Sequence, residues 1–317
     1  MSSGFLMQLG GSPLQSWGEH SDFTDRDTAA HPTRSALIGM IASALGIPRE
    51  QTVTDSHDGS PTLFGRLSGL RFTIRHDRPG IRLRDFHTVG GGYPAHRTVP
   101  TAKGGRRSAA TATITSHRHY LADAVFTVAV TAPDDPTLPA RCAQALAAPR
   151  WPLHLGRRSC PPGAPLILRT EVADPVTELL SRVPLARPQP PQPRQTPEAT
   201  APGAGRNADQ PDGGHRRESE GAPATVTVRF TADAPFPPGF PSSASSQAPA
   251  TTMNDEPVQL APSDRIYRSR PAYTANCRLP AHLCKGYGPA YLDALLTYLQ
   301  PPTTPPMPPT PPERSDS

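Results

Sequence analysis

The chain has 317 residues, of which 43 are proline, 25 glycine and only 6% aromatic, so its folded part is expected to be shorter than its length. No apolar run is long enough to span a membrane, and Met1 to Leu9 is too short and too uncharged for a secretory signal. Cys142, Cys160, Cys277 and Cys284 form no C-x-x-C pair and no zinc-like spacing, so they read as reduced thiols of a cytoplasmic protein.

Phe5 to Leu9 alternates weakly and reads as a first strand, followed by a glycine-rich loop from Gly10 to Gly18. In residues 33–46, Leu37, Met40, Ile41, Ala44 and Leu45 recur at helical spacing, with Thr33 placed to cap the start and Gly46 and Pro48 to end it. Leu70, Phe72 and Ile74 alternate with polar residues as a half-exposed strand, and Ile81 to His87 continues as another. Residues 121–130 read as one apolar strand, residues 138–147 as a short alanine-rich helix, and Leu153–Leu155 and Leu166–Leu168 as short strands. This order predicts an α+β sandwich with helices on one face of an antiparallel sheet, ferredoxin-like architecture being the nearest named form. RNA-recognition modules use that architecture.

The later chain reads differently. Residues 1–183 are expected to form the folded domain, and 184–223, with nine prolines and almost no aliphatic side chains, a disordered insertion. Residues 224–279 are expected to return to the fold through a strand at Thr225–Thr231 and a basic segment from Arg265 to Leu279, with 234–262 a disordered loop. Residues 280–317 read as an extension: Leu292, Leu295, Leu296 and Leu299 make an apolar helical stripe, and the proline-rich 301–312 should be extended.

Charge is unevenly placed. Residues 82–119 hold Arg82, Arg84, Arg97, Lys103, Arg106, Arg107 and Arg118 against Asp85 alone, which is 7 − 1 = +6 and accounts for the whole net charge of +5. Gly90–Gly92 and Gly104–Gly105 break the segment and suit a long flexible hairpin. Such a block is the footprint of a polyanion partner or a solvated basic loop. Arg84, Arg97, Arg106, Arg107 and Arg118 are therefore RNA-binding candidates. So are Gln15, Ser16 and Trp17 of the first loop, where glycines let backbone approach phosphates, although a tight turn explains that loop as well. Arg34 and Ser35 open the first helix, where a cation opposes the helix dipole unless an anion is bound. Arg157, Arg158 and Ser159 lie in a turn between Gly156 and Pro161, where guanidinium forks suit phosphate oxygens. His87, His117 and His119, with Tyr120 beside them, bind RNA on one reading and on another cleave it without metal, one histidine as base and one as acid. Walker, zincin and nucleophile-elbow motifs are absent.

The segments LQSWG (14–18), HPTRSALIGMIASALGI (31–47), LRDFHTV (83–89), HRHYLADAVFTVAV (117–130) and PRWPLHLGRRSCP (149–161) run in an order that closely resembles the CasD family of type I-E CRISPR Cascade complexes. The resemblance covers most of residues 4–183 and resumes weakly at 225–235; residues 184–223 and those beyond about 280 depart from it. It implies a ferredoxin-like (RAMP) fold with a projecting β-hairpin thumb, at residues 88–116 here. It implies a non-catalytic subunit that binds the 5′ handle of the CRISPR RNA and caps the complex. The implied neighbours are the backbone subunit and the large PAM-reading subunit, with target DNA contacted indirectly and no cofactor. A related subunit of another subtype is itself an endoribonuclease, which keeps cleavage of repeat RNA open as the alternative.

Overall fold

A computed structural model describes residues 3–18, 22, 24–101, 104–163, 165–190, 224–242, 248–261 and 264–300. The centre is a seven-stranded antiparallel sheet. Its strands are β1 (Gly4–Leu9), β4 (Arg71–Arg78), β7 (Val125–Thr131), β8 (Ile167–Val172), β9 (Thr225–Ala232), β10 (Thr251–Leu260) and β11 (Arg265–Pro280), in the order β10-β11-β9-β4-β7-β1-β8. A second sheet holds β2 (Leu14–Gln15), β3 (Asp25–Arg26), β5 (Ile81–Val89) and β6 (Ile114–Ala122). Strands β5 and β6 pair over their full lengths as the two arms of a hairpin.

Alternation along the central strands builds two cores, because side chains at successive positions point to opposite faces. Phe5, Met7, Phe72, Ile74, Phe126 and Val128 pack beneath α1 (Arg34–Leu45) and α3 (Leu138–Ala147). Leu6, Ala129, Val228, Phe230 and Cys277 form the other core with α4 (Pro175–Ser181) and α5 (Pro289–Leu299), which bury Leu179, Tyr291 and Leu295. Helices therefore cover both faces rather than one, the second layer coming from C-terminal chain. The short α2 (Leu63–Arg66) is capped by the Thr62 hydroxyl, which accepts the Gly65 N–H at 2.9 Å.

Several expectations need correction. The run 121–130 is two strands: Asp123 at φ 59° turns the chain between β6 and β7. Leu153–Leu155 forms no strand; the Leu155 N–H reaches the Cys160 carbonyl at 2.7 Å and the Leu155 carbonyl accepts the Ser16 N–H at 3.1 Å. Residues 184–190, read as disordered, are folded, with Leu185 and Ala186 buried; the rest of that insertion, 191–223, lies outside the described residues. Within 234–262, residues 251–260 form β10 against β11. The stripe at 290–299 is part of α5, and 301–312 lies outside the described residues. All four cysteines are buried free thiols, and burial pushes Cys142 and Cys277 up to about 12. No helix among the described residues is long and apolar enough to cross a membrane.

Candidate nucleic-acid interface

Two loops far apart in sequence meet beside α1. Gly156, at φ 86°, lies so close to the first loop that an added Cβ would fall 1.6 Å from the Ser16 carbonyl oxygen, so only glycine permits the approach. The turn that follows lifts Arg157 and Arg158 over a cleft of about 1040 Å³. Arg26 from β3, Arg49 after α1 and Arg265 from β11 line the same cleft, against a single acid among the described residues, Glu50. His154 lines it too, as do Trp151 and Tyr267, whose rings are 40% and 37% exposed and so available to stack on bases. Five guanidinium groups and two open aromatic faces in one groove make a surface suited to single-stranded nucleic acid.

Arg157 is set in place from two sides. Its guanidinium lies 4.9 Å from the centroid of the Tyr120 ring, and its Nη2 donates to the Arg26 carbonyl at 2.8 Å. Its Nη1 and the Nδ1 of His154 are both shielded from solvent without a protein partner. Buried polar groups in folded proteins nearly always have partners, so these two are places where a bridging water, or a shift of the side chain toward the cleft, completes the bonding.

The hairpin lies beside the groove, reaching it through Tyr120 under Arg157 and through the His119 carbonyl, and has two faces of its own. Directly opposed residues of an antiparallel pair lie on one face. One face carries Arg82, Arg84, Phe86, His117 and His119; the other carries Leu83, Asp85, His87, Ser116, Arg118 and Tyr120. His117 packs on Phe86 at 5.5 Å and His119 Nε2 lies 3.3 Å from Asp25. His87 Nδ1 lies 3.5 Å from Asp85. The outer arm exposes Ile81, Leu83, Phe86 and Val89. Between the arms, the segment expected to be loose folds on itself. Thr98 and Ala112 are buried, the Thr98 hydroxyl donates to the Arg107 carbonyl at 2.6 Å, and Arg106 Nη1 to the Thr98 carbonyl at 2.6 Å.

The predicted residues thus divide. Arg157, Arg158, Ser16 and Ser35 line the cleft, although the Ser16 hydroxyl is spent on the His119 carbonyl at 3.0 Å. Ser159 is exposed on the same turn. Arg84, Arg97 and Arg106 are exposed on the hairpin, and His87, Arg107 and Arg118 are half-buried there. Lys103 lies outside the described residues. Gln15, Trp17, Arg34 and Tyr120 are buried, so their side chains present almost no surface to a ligand. Gln15 Nε2 donates to the Leu9 and Ala124 carbonyls at 3.0 and 2.8 Å, and its Oε1 accepts the Trp17 indole N–H at 3.1 Å. Arg34 is ion-paired with Asp233 and Glu256, and its N–H, at the helix start, donates to Asp255 at 2.7 Å. Protein carboxylates, not a phosphate, answer the charge there. The proposed histidine set is also divided, because His87 lies on the opposite face of the hairpin from His117 and His119. Arg26, Arg49 and Tyr267 do not stand out in the sequence, and Trp151, His154 and Arg265, though in segments that do, carry no sign there of a shared site, since only the fold gathers them.

Comparison with known families matches residues 11–270 to the family described as CRISPR-associated protein (Cas_Cas5). The CRISPR system Cascade subunit CasD of Escherichia coli (strain K12) is 33% identical over 195 residues, covering 58% of this chain and 79% of that protein. A chain of a solved CRISPR RNA-guided surveillance complex is 41% identical with a TM-score of 0.69, covering 93% of this chain and 99% of that one. A solved Cas protein that is 22% identical, with a TM-score of 0.50, shares the fold.

Proposed function

This chain belongs to the CRISPR-associated Cas5 family, and from that premise we propose that it is a non-catalytic subunit of a type I-E surveillance complex, binding the 5′ handle of the guide RNA and capping one end of the assembly. The observation that carries the reading is the groove in which Arg26, Arg49, Arg157, Arg158 and Arg265 converge beside Trp151 and Tyr267. Guide pairing reads the target sequence, so a subunit at the handle has only to hold one RNA end in a fixed shape. A rigid cradle with phosphate forks and stacking faces does that.

The sheet segment β8-β1-β7-β4, with α1 and α3 on one face, supports reading the body as an elaborated ferredoxin-like palm of the RAMP kind. The β5–β6 hairpin then carries the thumb, residues 88–116, whose exposed Val89 and Tyr93 are suited to pack against the neighbouring backbone subunit. The large PAM-reading subunit is the other neighbour, and target DNA is reached through it. The separation of His87 from His117 and His119, together with the burial of Tyr120, supports a holding rather than a cleaving role.

Replacing residues 90–113 by a short glycine linker tests the assignment. The variant should stay folded and fail to co-purify with tagged backbone subunit and guide RNA. Recovery of a complete complex that still binds target DNA would count against the reading. Purified wild-type protein incubated with repeat RNA should leave it uncut.

A further inference from the structure

On the other side of α1's start from the cleft lies a second cavity, of about 450 Å³. It is lined by His31, His76, Arg187 and Arg229, with no carboxylate among the described residues of its walls. The two imidazoles meet edge to face at 5.4 Å, and His76 is only 6% exposed. The acids near this group are already engaged; Asp233, which lines an adjoining pocket with His31 and Arg229, is ion-paired with Arg34. Asp255 on β10 receives Arg270 at 2.7 Å and the Arg34 N–H at 2.7 Å, and Asp77 is paired with Arg75 at 2.6 Å.

We propose that this cavity binds a phosphate group. Four groups able to carry positive charge face one another here without a counter-ion, which is unfavourable unless the histidines stay neutral or an anion enters. Burial, His31 and the Arg229 and Arg187 guanidinium groups hold His76 down at about 3. His31 is lowered as well, chiefly by burial and also by Arg229 and Arg270, against a raising effect of its bond to the Pro32 carbonyl and of Asp255. An anion reverses the balance: it lets the histidines take up protons and become donors. Arg187 supplies field more than donors, since it already gives N–H groups to the Asp77, Thr227 and His76 carbonyls. Arg229 is exposed at the cavity's rim.

The cavity continues one face of the hairpin. Arg82, which shares that face with Arg84, His117 and His119, donates to the Thr28 carbonyl, next to wall residues Ala29 and Ala30. A phosphodiester running along that face passes beside the cavity's wall near Thr28, and a free anion enters from solvent. The cavity shares no lining residue with the cleft, so the proposal stands whether or not the cleft holds RNA.

Sulfate is the probe, because its charge is constant between pH 6.0 and 7.5. Calorimetric titration of the full chain should show sulfate binding tighter at the lower pH, by up to about tenfold per pH unit for one proton taken up. Arg229→Ala and His31→Asn, made singly and together, should weaken that binding and remove its pH dependence, while Arg158→Ala in the cleft should leave the pH dependence intact. Titration with a short single-stranded RNA then separates the sources. Reduced RNA affinity and salt dependence in Arg229→Ala assign the phosphate to the RNA backbone; unchanged RNA binding with abolished sulfate binding assigns it to a free anion. Sulfate and RNA binding that match wild type in both single variants, at both pH values, would overturn the proposal.

Discussion

Arg34 and Arg157 are both arginines that sequence alone marks for phosphate, and the fold gives them opposite employment. Arg34 is 2% exposed, paired with two carboxylates, bonded to the Leu70 and Ser68 carbonyls and set over the Phe72 ring. It ties the start of α1 to β9 and β10, and so fastens C-terminal chain to the N-terminal half. Arg157 rests on one aromatic ring, bonds backbone through one nitrogen and keeps the other without a protein partner at the edge of the cleft. What separates the two arginines is how far the fold occupies and covers them, and that is decided by partners from tens to more than two hundred residues away.

The comparison can be broken at its structural end first. Arg34→Ala strands Asp233 and Glu256, so it should cost about 3–5 kcal/mol in chemical denaturation, while RNA affinity of the folded protein stays near wild type. A destabilisation much below that range would mean the ion pairs are not holding α1. Gln15→Ala strands two carbonyls and the Trp17 indole, and should cost about 1–3 kcal/mol with handle binding again preserved. If affinity falls while stability holds, Gln15 touches RNA after all.

An effect that is small at neutral pH and grows only in acid follows from His76, whose folded value of about 3 lies below its ordinary 6.5. A depressed histidine is neutral when folded and charges on unfolding. Its stabilisation is present above pH 6.5 and drains away as pH falls toward 3, at up to about 1.4 kcal/mol per pH unit. His76→Phe should flatten that slope; an unchanged slope would place the acid sensitivity elsewhere. Smallest is Arg265→Ala at the cleft, which should move stability by no more than about 0.5 kcal/mol yet weaken RNA binding.

Much of the core could be read from spacing. The apolar repeat of α1 and its stop at Gly46, which adopts φ 74°, are as the pattern predicts, because helical periodicity and a left-handed cap are local matters. The start is less local: Thr33 makes no side-chain cap bond, and Asp255 takes its place. Strand β10 escaped notice because its sequence, TTMNDEPVQL, is polar, and its pairing partner supplies what the pattern lacks. The candidate site was half legible. Arg157 and Arg158 stand out in a Gly/Pro turn, whereas Arg49, Arg265 and Tyr267 look ordinary until the fold sets them around one groove. Tyr120 sits in a recognisable motif, but only structure shows that it supports Arg157 from beneath.

The central claim is that the arginines lining the cleft meet RNA phosphates, and the salt dependence of handle binding tests it most directly. Affinity for a handle-length single-stranded RNA would be measured across a salt series for wild type and for Arg157→Glu with Arg158→Glu. The account predicts weaker binding and a log–log salt slope shallower by about 0.7 for each phosphate that the variant no longer neutralises. Unchanged affinity with an unchanged slope would show that these arginines are only solvated, and would contradict the account.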